Sequence, residues 1–190
     1  MATACPILVS PIDRSHRCPG RSGANRGLRS YGFDMPPCMD VYVLVRGGDR
    51  PTTLSKFITR YVDLENPGDP RLEPFIRVLV DEQPVAGDAE ELATLRRGDP
   101  DTHEAISLYV NSTAFYGAIV TLTEEGDLVL GLRIDDPEDT AIETYASQVL
   151  TRLMDEFRGE AGIAGAELPP PQSLTEWTEA AYVLLRVGSA

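Results

Sequence analysis

Residues 135–139, Asp135-Asp136-Pro137-Glu138-Asp139, put four carboxylates into five positions. Such a cluster suggests a divalent-cation site or a paired acid and base. The flanking sequence gives a structural reason for it instead. A strand pattern ends there and a helical one begins. Asp136 suits an N-cap, Pro137 suits the first helical position, and Glu138 and Asp139 oppose the positive helix end. The spacing is also not the alternating Asp/Asn pattern of a calcium loop. His103, the one histidine after residue 38, would have to serve any Ser-His-Asp triad. No Gly-x-Ser-x-Gly elbow accompanies it, no cysteine follows Cys38, and the polar run Asp99–Glu104 around it reads as surface. Gly47-Gly48 raises a phosphate loop, yet neither Gly-x-x-x-x-Gly-Lys-Ser/Thr nor Gly-x-Gly-x-x-Gly occurs, so it reads as a turn. Cys5, His16, Cys18 and Cys38 lack the paired spacings that zinc prefers. The residues therefore indicate no enzyme, metal or cofactor.

Binding chemistry is better represented. In Asn111–Gly117, NSTAFYG, Phe115 and Tyr116 stand beside small polar residues between two strands. They either cap the core or anchor a partner, since aromatic side chains concentrate at interface centres. Trp177 has the same two readings, and its place on an apolar stripe favours the core. Tyr116 and the carboxylates of a nearby hairpin, Glu124, Glu125 and Asp127, are the residues we assign to partner contact.

The elements that must position these residues follow from periodicity. Asp40–Arg46 is a β-branched strand stopped by Gly47-Gly48. Thr53–Val62 carries Leu54, Ile58 and Tyr61/Val62 at helical spacing behind Pro51. Phe75–Asp81, FIRVLVD, alternates and reads as a strand. A short helix is expected over Asp88–Arg97, with Asp88 as N-cap and Arg96 and Arg97 in its last turn. Ala105–Asn111, Gly117–Thr123 and Leu128–Ile134 are three strands, the last two joined by Glu124-Glu125-Gly126-Asp127. A long amphipathic helix is expected from Pro137 to about Arg158. A final one begins after Pro169-Pro170-Pro171, with Ser173 and Glu176 as a capping box and Leu174, Trp177, Ala181 and Leu184/Leu185 along one face. The order β-α-β-(α)-β-β-β-α-α implies an α+β fold, with a largely antiparallel sheet of about five strands and helices packed on one face.

Charge divides the chain. Residues 1–38 hold five arginines against two aspartates, a net of +3, and all three cysteines; residues 39–190 hold 12 basic against 28 acidic residues, a net of −16. Residues 1–38 read either as a basic, disordered leader or as sequence ahead of a true start at Met39 or Met35. Residues 39–190 read as a single acidic α+β domain. An acidic domain repels nucleic acid and attracts cationic proteins. No apolar run approaches a membrane span, and the run Ala4–Val9 is too short for a secretory signal. Cytoplasmic localisation is the expectation, in line with a thiol-free body.

The segment YGAIVTLTEEGDLVLGLRIDDPED with its following helix resembles the strand-hairpin-strand-helix stretch of small acidic bacterial immunity proteins, over about a third of the chain. The resemblance implies a non-enzymatic inhibitor that neutralises a cationic toxin, its acidic residues standing in for substrate phosphates. No site residue transfers through it. The alternative is a dimeric acidic secretion-type chaperone that holds an unfolded client on the apolar face of the final helix. The sequence leaves the oligomeric state open.

Overall fold

Strand β1, Met39–Val45, is buried along all seven residues, so the sheet it belongs to is covered on both faces. The computed structural model describes residues 38–97, 104–135 and 142–189. All belong to one unit, Met35–Ala190. Residues 1–37, His103 and the proposed cap at Asp136 to Asp139 lie outside the described residues.

The elements that follow β1 are α1 (Arg50–Tyr61), α2 (Leu72–Leu79), α3 (Asp88–Ala93), β2 (Ile106–Val110), β3 (Gly117–Leu122), β4 (Leu128–Ile134), α4 (Ile142–Phe157), β5 (Ala161–Ala166), α5 (Leu174–Glu179) and β6 (Val183–Gly188). The fold is α+β. Its sheet has six strands in the order β2-β3-β4-β1-β5-β6, with every neighbouring pair antiparallel.

Period-2 alternation sorts the side chains into two layers. On one face Val41, Val43 and Val45 of β1 join Leu130 and Leu132 of β4. Against them pack Leu54, Phe57 and Ile58 of α1, Phe75 of α2, Leu92 of α3, and Val149, Leu150 and Leu153 of α4. On the other face Tyr42, Leu44, Ile119, Val129 and Ile163 meet Leu168 and Trp177. Trp177 is a core residue. A single short helix therefore shares this second face with the prolines before it. The expected one-sided arrangement holds for α1 to α4 and fails for α5.

Three expectations change. Phe75–Asp81 is not a strand. Leu72, Phe75, Ile76 and Leu79 also lie at helical spacing, Pro74 sits in the first turn where it is tolerated, and Glu73 accepts from Arg77 one turn on at 2.6 Å. β5 was not anticipated, because AGIAGA has almost no β-forming side chains. Its smallness is a packing requirement, since a Cβ at Gly162 would come within 2.5 Å of Leu150 Cδ1. The final helix stops at Glu179: Ala180 turns extended and Tyr182 takes φ +61°. Leu184 and Leu185, expected on that helix, belong to β6, which pairs with β5 through a bulge between Ala164 and Gly165.

Caps follow local chemistry more closely. Asp49 accepts from Thr52 N at 3.2 Å at the start of α1, and Ser173 Oγ accepts from Glu176 N at 3.1 Å at the start of α5. Asp88 does not cap α3. Gly87 holds that position, and the buried Asp88 carboxylate accepts from Val85 N at 2.9 Å and from Arg77 at 2.5 and 3.1 Å. Arg96 and Arg97 lie beyond this helix, Arg96 bridging to Ile106 of β2.

In the middle of the sheet the Tyr42 ring lies over Gly131, its cross-strand partner. A Cβ there would come within 2.5 Å of the ring. Gly131→Ala is expected to destabilise the fold by about 1–3 kcal/mol through overpacking. Urea unfolding of the two proteins checks this, with an unchanged midpoint as the contrary result.

Candidate functional site

The register of the sheet places three cross-strand rows on the face that carries Trp177. The innermost runs Ser107, Thr121, Val129, Leu44, Ala161. The next runs Tyr109, Ile119, Gly131, Tyr42, Ile163, Arg186. The outermost runs Gly117, Arg133, Asp40, Gly165, Val183. Residues 168–177 close the first two rows. Gln172 Nε2 donates to Ser107 Oγ at 3.0 Å, Ser107 Oγ lies 2.9 Å from Thr121 Oγ1, and the Tyr42 hydroxyl donates to Leu168 O at 2.8 Å. These bonds satisfy buried polar groups and hold the cover on the sheet.

The outermost row stays partly open and carries charge. Arg133 Nε lies 3.2 Å from Asp40 Oδ1, with the Asp40 side chain almost fully buried and the Arg133 side chain about one-third exposed. Glycine flanks the pair on both neighbouring strands; the Arg133 side chain packs against Gly117, and Leu168 fills the space at Gly165. Tyr116, just before β3, lies over the guanidinium, whose carbon is 5.3 Å from the ring centroid. Its backbone N–H donates to Arg133 O at 3.1 Å. Tyr109 is the aromatic residue of the adjoining row. Tyr116 is 58% exposed and Tyr109 49%, so each offers a ring face to a partner. Cys38 leads into β1 beside this pair, Glu167 N donates to Cys38 O at 2.9 Å, and Asp135 follows the end of β4. Asp40, Asp135 and Glu167 all lie close enough to Cys38 to act on its thiol, which makes this end of the sheet an acidic, aromatic corner with one arginine in it.

Burial raises the pKa values here, because it disfavours the charged form of each acid. Burial pushes the Asp40 carboxyl up to about 6 despite the opposing Arg133 guanidinium and a Leu168 backbone hydrogen bond. The Tyr109 hydroxyl is raised by burial and then by Asp40, and the Tyr42 hydroxyl far more by burial. The Cys38 thiol is also raised by burial, which keeps it protonated and a poor nucleophile.

The assigned contact residues do not form one patch. Tyr116 and the hairpin lie at opposite ends of β3, roughly 20 Å apart for a strand of this length. The hairpin is tied into the chain. Asp127 pairs with Arg46 at 3.2 Å, Glu125 accepts from Leu174 N at 3.0 Å, Glu124 N donates to Gln172 O at 2.9 Å, and Arg50 donates to Gly126 O at 2.7 Å. Asp127 and Glu125 therefore have structural work, while Tyr116 covers the Arg133 guanidinium and remains more than half exposed. Asp40, Arg133 and Tyr109 were not singled out from the sequence. The signal present was a single charged residue inside each of two otherwise apolar strands, MDVYVLV and LVLGLRI, which is how a cross-strand ion pair reads.

A second concavity, about 770 Å³, runs along α1 and is lined by Ser55, Lys56, Thr59, Arg60, Asp81 and Glu156 among others. Its charges are spent on one another. Arg60 lies 2.9 Å from Glu156, Lys56 donates to Glu156 O at 2.7 Å, and the Tyr61 hydroxyl donates to Glu156 at 2.8 Å. Among the described residues no three His, Cys, Asp or Glu side chains stand close enough to hold a metal ion, and no helix is long and apolar enough to cross a membrane.

No protein-family model, curated protein or solved structure matches the chain.

Asp40 gives the corner a pH signature. Its carboxyl titrates higher in the folded chain than in the unfolded one, so the folded state holds the extra proton between about pH 4 and pH 6. The stability from this group is fully present at the acid end and is lost as pH rises through about 6. Replacing Asp40 by Asn removes the titration. The stability difference between wild type and Asp40→Asn is expected to change by about 2–3 kcal/mol across that window. Chemical denaturation at a series of pH values checks it, and parallel profiles for the two proteins would contradict the assignment.

Proposed function

We propose that this chain is a non-enzymatic protein-binding protein whose partner is a cationic protein, engaged at the corner formed by Tyr109, Tyr116, Arg133 and Asp40. The supporting observation is the exposure of two tyrosines around a partly desolvated arginine-carboxylate pair, on a domain with a net charge of −16 over residues 39–190. Tyrosine and arginine are the side chains most enriched at interface hot spots. Asp135 and Glu167 supply negative charge beside them, and the excess over the whole surface steers a basic partner inward. The hairpin carboxylates Glu124, Glu125 and Asp127 add to that field from the far end of β3.

The narrower form of this proposal makes the partner a bacterial toxin and the chain its cytoplasmic immunity protein. It rests on the resemblance of residues 116–139 and the helix after them. The chaperone reading used the apolar face of the final helix. That face is filled by the chain's own core, with Trp177 buried.

Binding through this corner has two consequences. A complex captured from cells at low ionic strength contains a basic protein and weakens as salt is raised. Tyr116→Ala and Tyr109→Ala each weaken it by about tenfold or more, with folding stability within about 0.5 kcal/mol of wild type because both side chains are exposed. Titration calorimetry of the purified pair, with thermal unfolding as control, measures both. A partner that is acidic, or tyrosine variants that bind as wild type, would defeat the proposal.

A further inference from the structure

The two edges of the sheet are treated differently by the chain. The β2 edge is sealed: Arg96 bridges Ile106, Ser107 N donates to Leu95 O at 3.4 Å, Asn111 N donates to Pro67 O at 2.8 Å, and Ser112 bridges Val62. The β6 edge is not. Among the described residues β6 pairs with β5 alone, and no bridge meets its outer side. Leu185 to Gly188 pair regularly with Ala164 to Ala161, and the bulge precedes them. A row of backbone donors and acceptors therefore faces solvent, and Leu184 (55% exposed), Val187 (49%) and Tyr182 (85%) accompany it.

Natural sheets protect an open edge with charge, proline or twist. Here the bulge supplies some twist and there is no proline. The one charged side chain in the strand, Arg186, is drawn onto the sheet face, where it donates to Trp177 O at 3.1 Å. The edge is thus left able to accept another strand.

We propose that β6 receives an extended basic segment of the partner as a seventh strand; this rests on the reading of the chain as a binder of cationic proteins. Charge selects that occupant. Beyond the Gly188 end stands the half-exposed carboxylate of Glu160, loosely paired with Arg46 at 3.7 Å. At the Tyr182 end lies a cleft of about 430 Å³, lined by Leu168, Pro169, Pro171, Tyr182 and the carboxylate-bearing Glu179 among others. Arg97 in that cleft is paired with Glu176. A basic strand finds carboxylates at both ends, whereas a second copy of this chain brings a net −16 body against an equal charge. Main-chain hydrogen bonds then supply affinity without strict sequence demands, and the cleft and the tyrosine corner supply selectivity.

The test uses the whole chain and a synthetic ten-residue peptide of alternating Arg and Val. Two controls accompany it: the same peptide N-methylated at alternate valines, and a Glu/Val counterpart. Amide shifts and hydrogen exchange across Tyr182–Gly188 are followed during titration. The basic peptide is expected to slow exchange of the outward β6 amides about tenfold or more, N-methylation to weaken binding by at least about tenfold, and the acidic peptide not to bind. Equal binding of the methylated peptide, with β6 amides unmoved and affinity lost in Tyr116→Ala, would overturn the strand-addition proposal while leaving the corner as a binding site. Failure of both basic peptides, methylated and unmethylated, to bind at low salt would overturn both. A stable dimer whose β6 amides are already protected would place a second copy on the edge and overturn the proposal.

Discussion

Seven consecutive residues of β1 are shut away from water, and the rest of the structure is arranged to keep them so. A strand buried on both faces needs two covers and a partner on each side. β4 and β5 are the partners. Helices α1 to α4 make one cover, large enough for the whole face. The other cover is made by the segment 168–180, which is a proline run, one turn and a half of helix and Trp177. It is too short for six strands. Where it runs out, Arg133 of the outermost row and Tyr116 just before β3 meet solvent, while Asp40 stays buried beneath them. The exposed corner is thus a consequence of an incomplete second layer on a sheet whose centre tolerates no exposure.

The same shortage accounts for the buried pair. Asp40 begins a strand that is otherwise apolar, and an isolated carboxylate there would be strongly disfavoured. Arg133 is its direct cross-strand partner and meets it at 3.2 Å. Tyr116 shields the other side of the guanidinium. Burial still outweighs the arginine, since the carboxyl titrates near 6 rather than below its usual range. An apolar pair in these two positions would pack with less loss. Only the arginine of the pair reaches solvent, and Asp40 stays beneath it.

Local patterns revealed the parts of the fold that local patterns determine. The three strands after residue 105, α1 and α4 follow from alternation or a 3.6-residue stripe, and the α+β class follows from their order. Two segments carried both periods at once. FIRVLVD satisfies a strand by alternation and a helix by Leu72, Phe75, Ile76 and Leu79; tertiary burial of one face chose the helix. LTEWTEAAYVLL satisfies a longer helix, but pairing with β5 drew its last residues into β6. β5 carried neither period, because its residues are small for the sake of Leu150 and the close β6 backbone. Tyr116 was legible as an aromatic residue among small polar neighbours. Asp40, Arg133 and Tyr109 were not, because their meeting depends on register across β2, β3, β4 and β1, which separates them by up to 93 positions in the chain.

Much of the acidic excess turns out to serve the chain itself. Asp49 caps a helix, Asp69 clamps Arg71, Asp88 holds Arg77, Glu125 meets the start of α5, Asp127 pairs with Arg46, and Glu156 collects Lys56, Arg60 and Tyr61. Asp69, Asp88, Asp127 and Glu156 are neutralised at close range by their cations and contribute to the field several ångströms away only as half of a dipole, while Asp49 and Glu125 are hydrogen-bonded and keep their charge. Long-range attraction therefore comes from the carboxylates left over, and contact energy comes from few residues. On the binding role proposed above, such a surface separates encounter from docking: dispersed charge speeds approach, and the aromatic corner on the β2–β3 side and the unsealed β6 edge across the sheet hold the partner. On the same proposal Tyr116 is the contact residue and the hairpin carboxylates at the other end of its strand, two of them tied into the chain, serve the field, although both stood out in the sequence on equal terms.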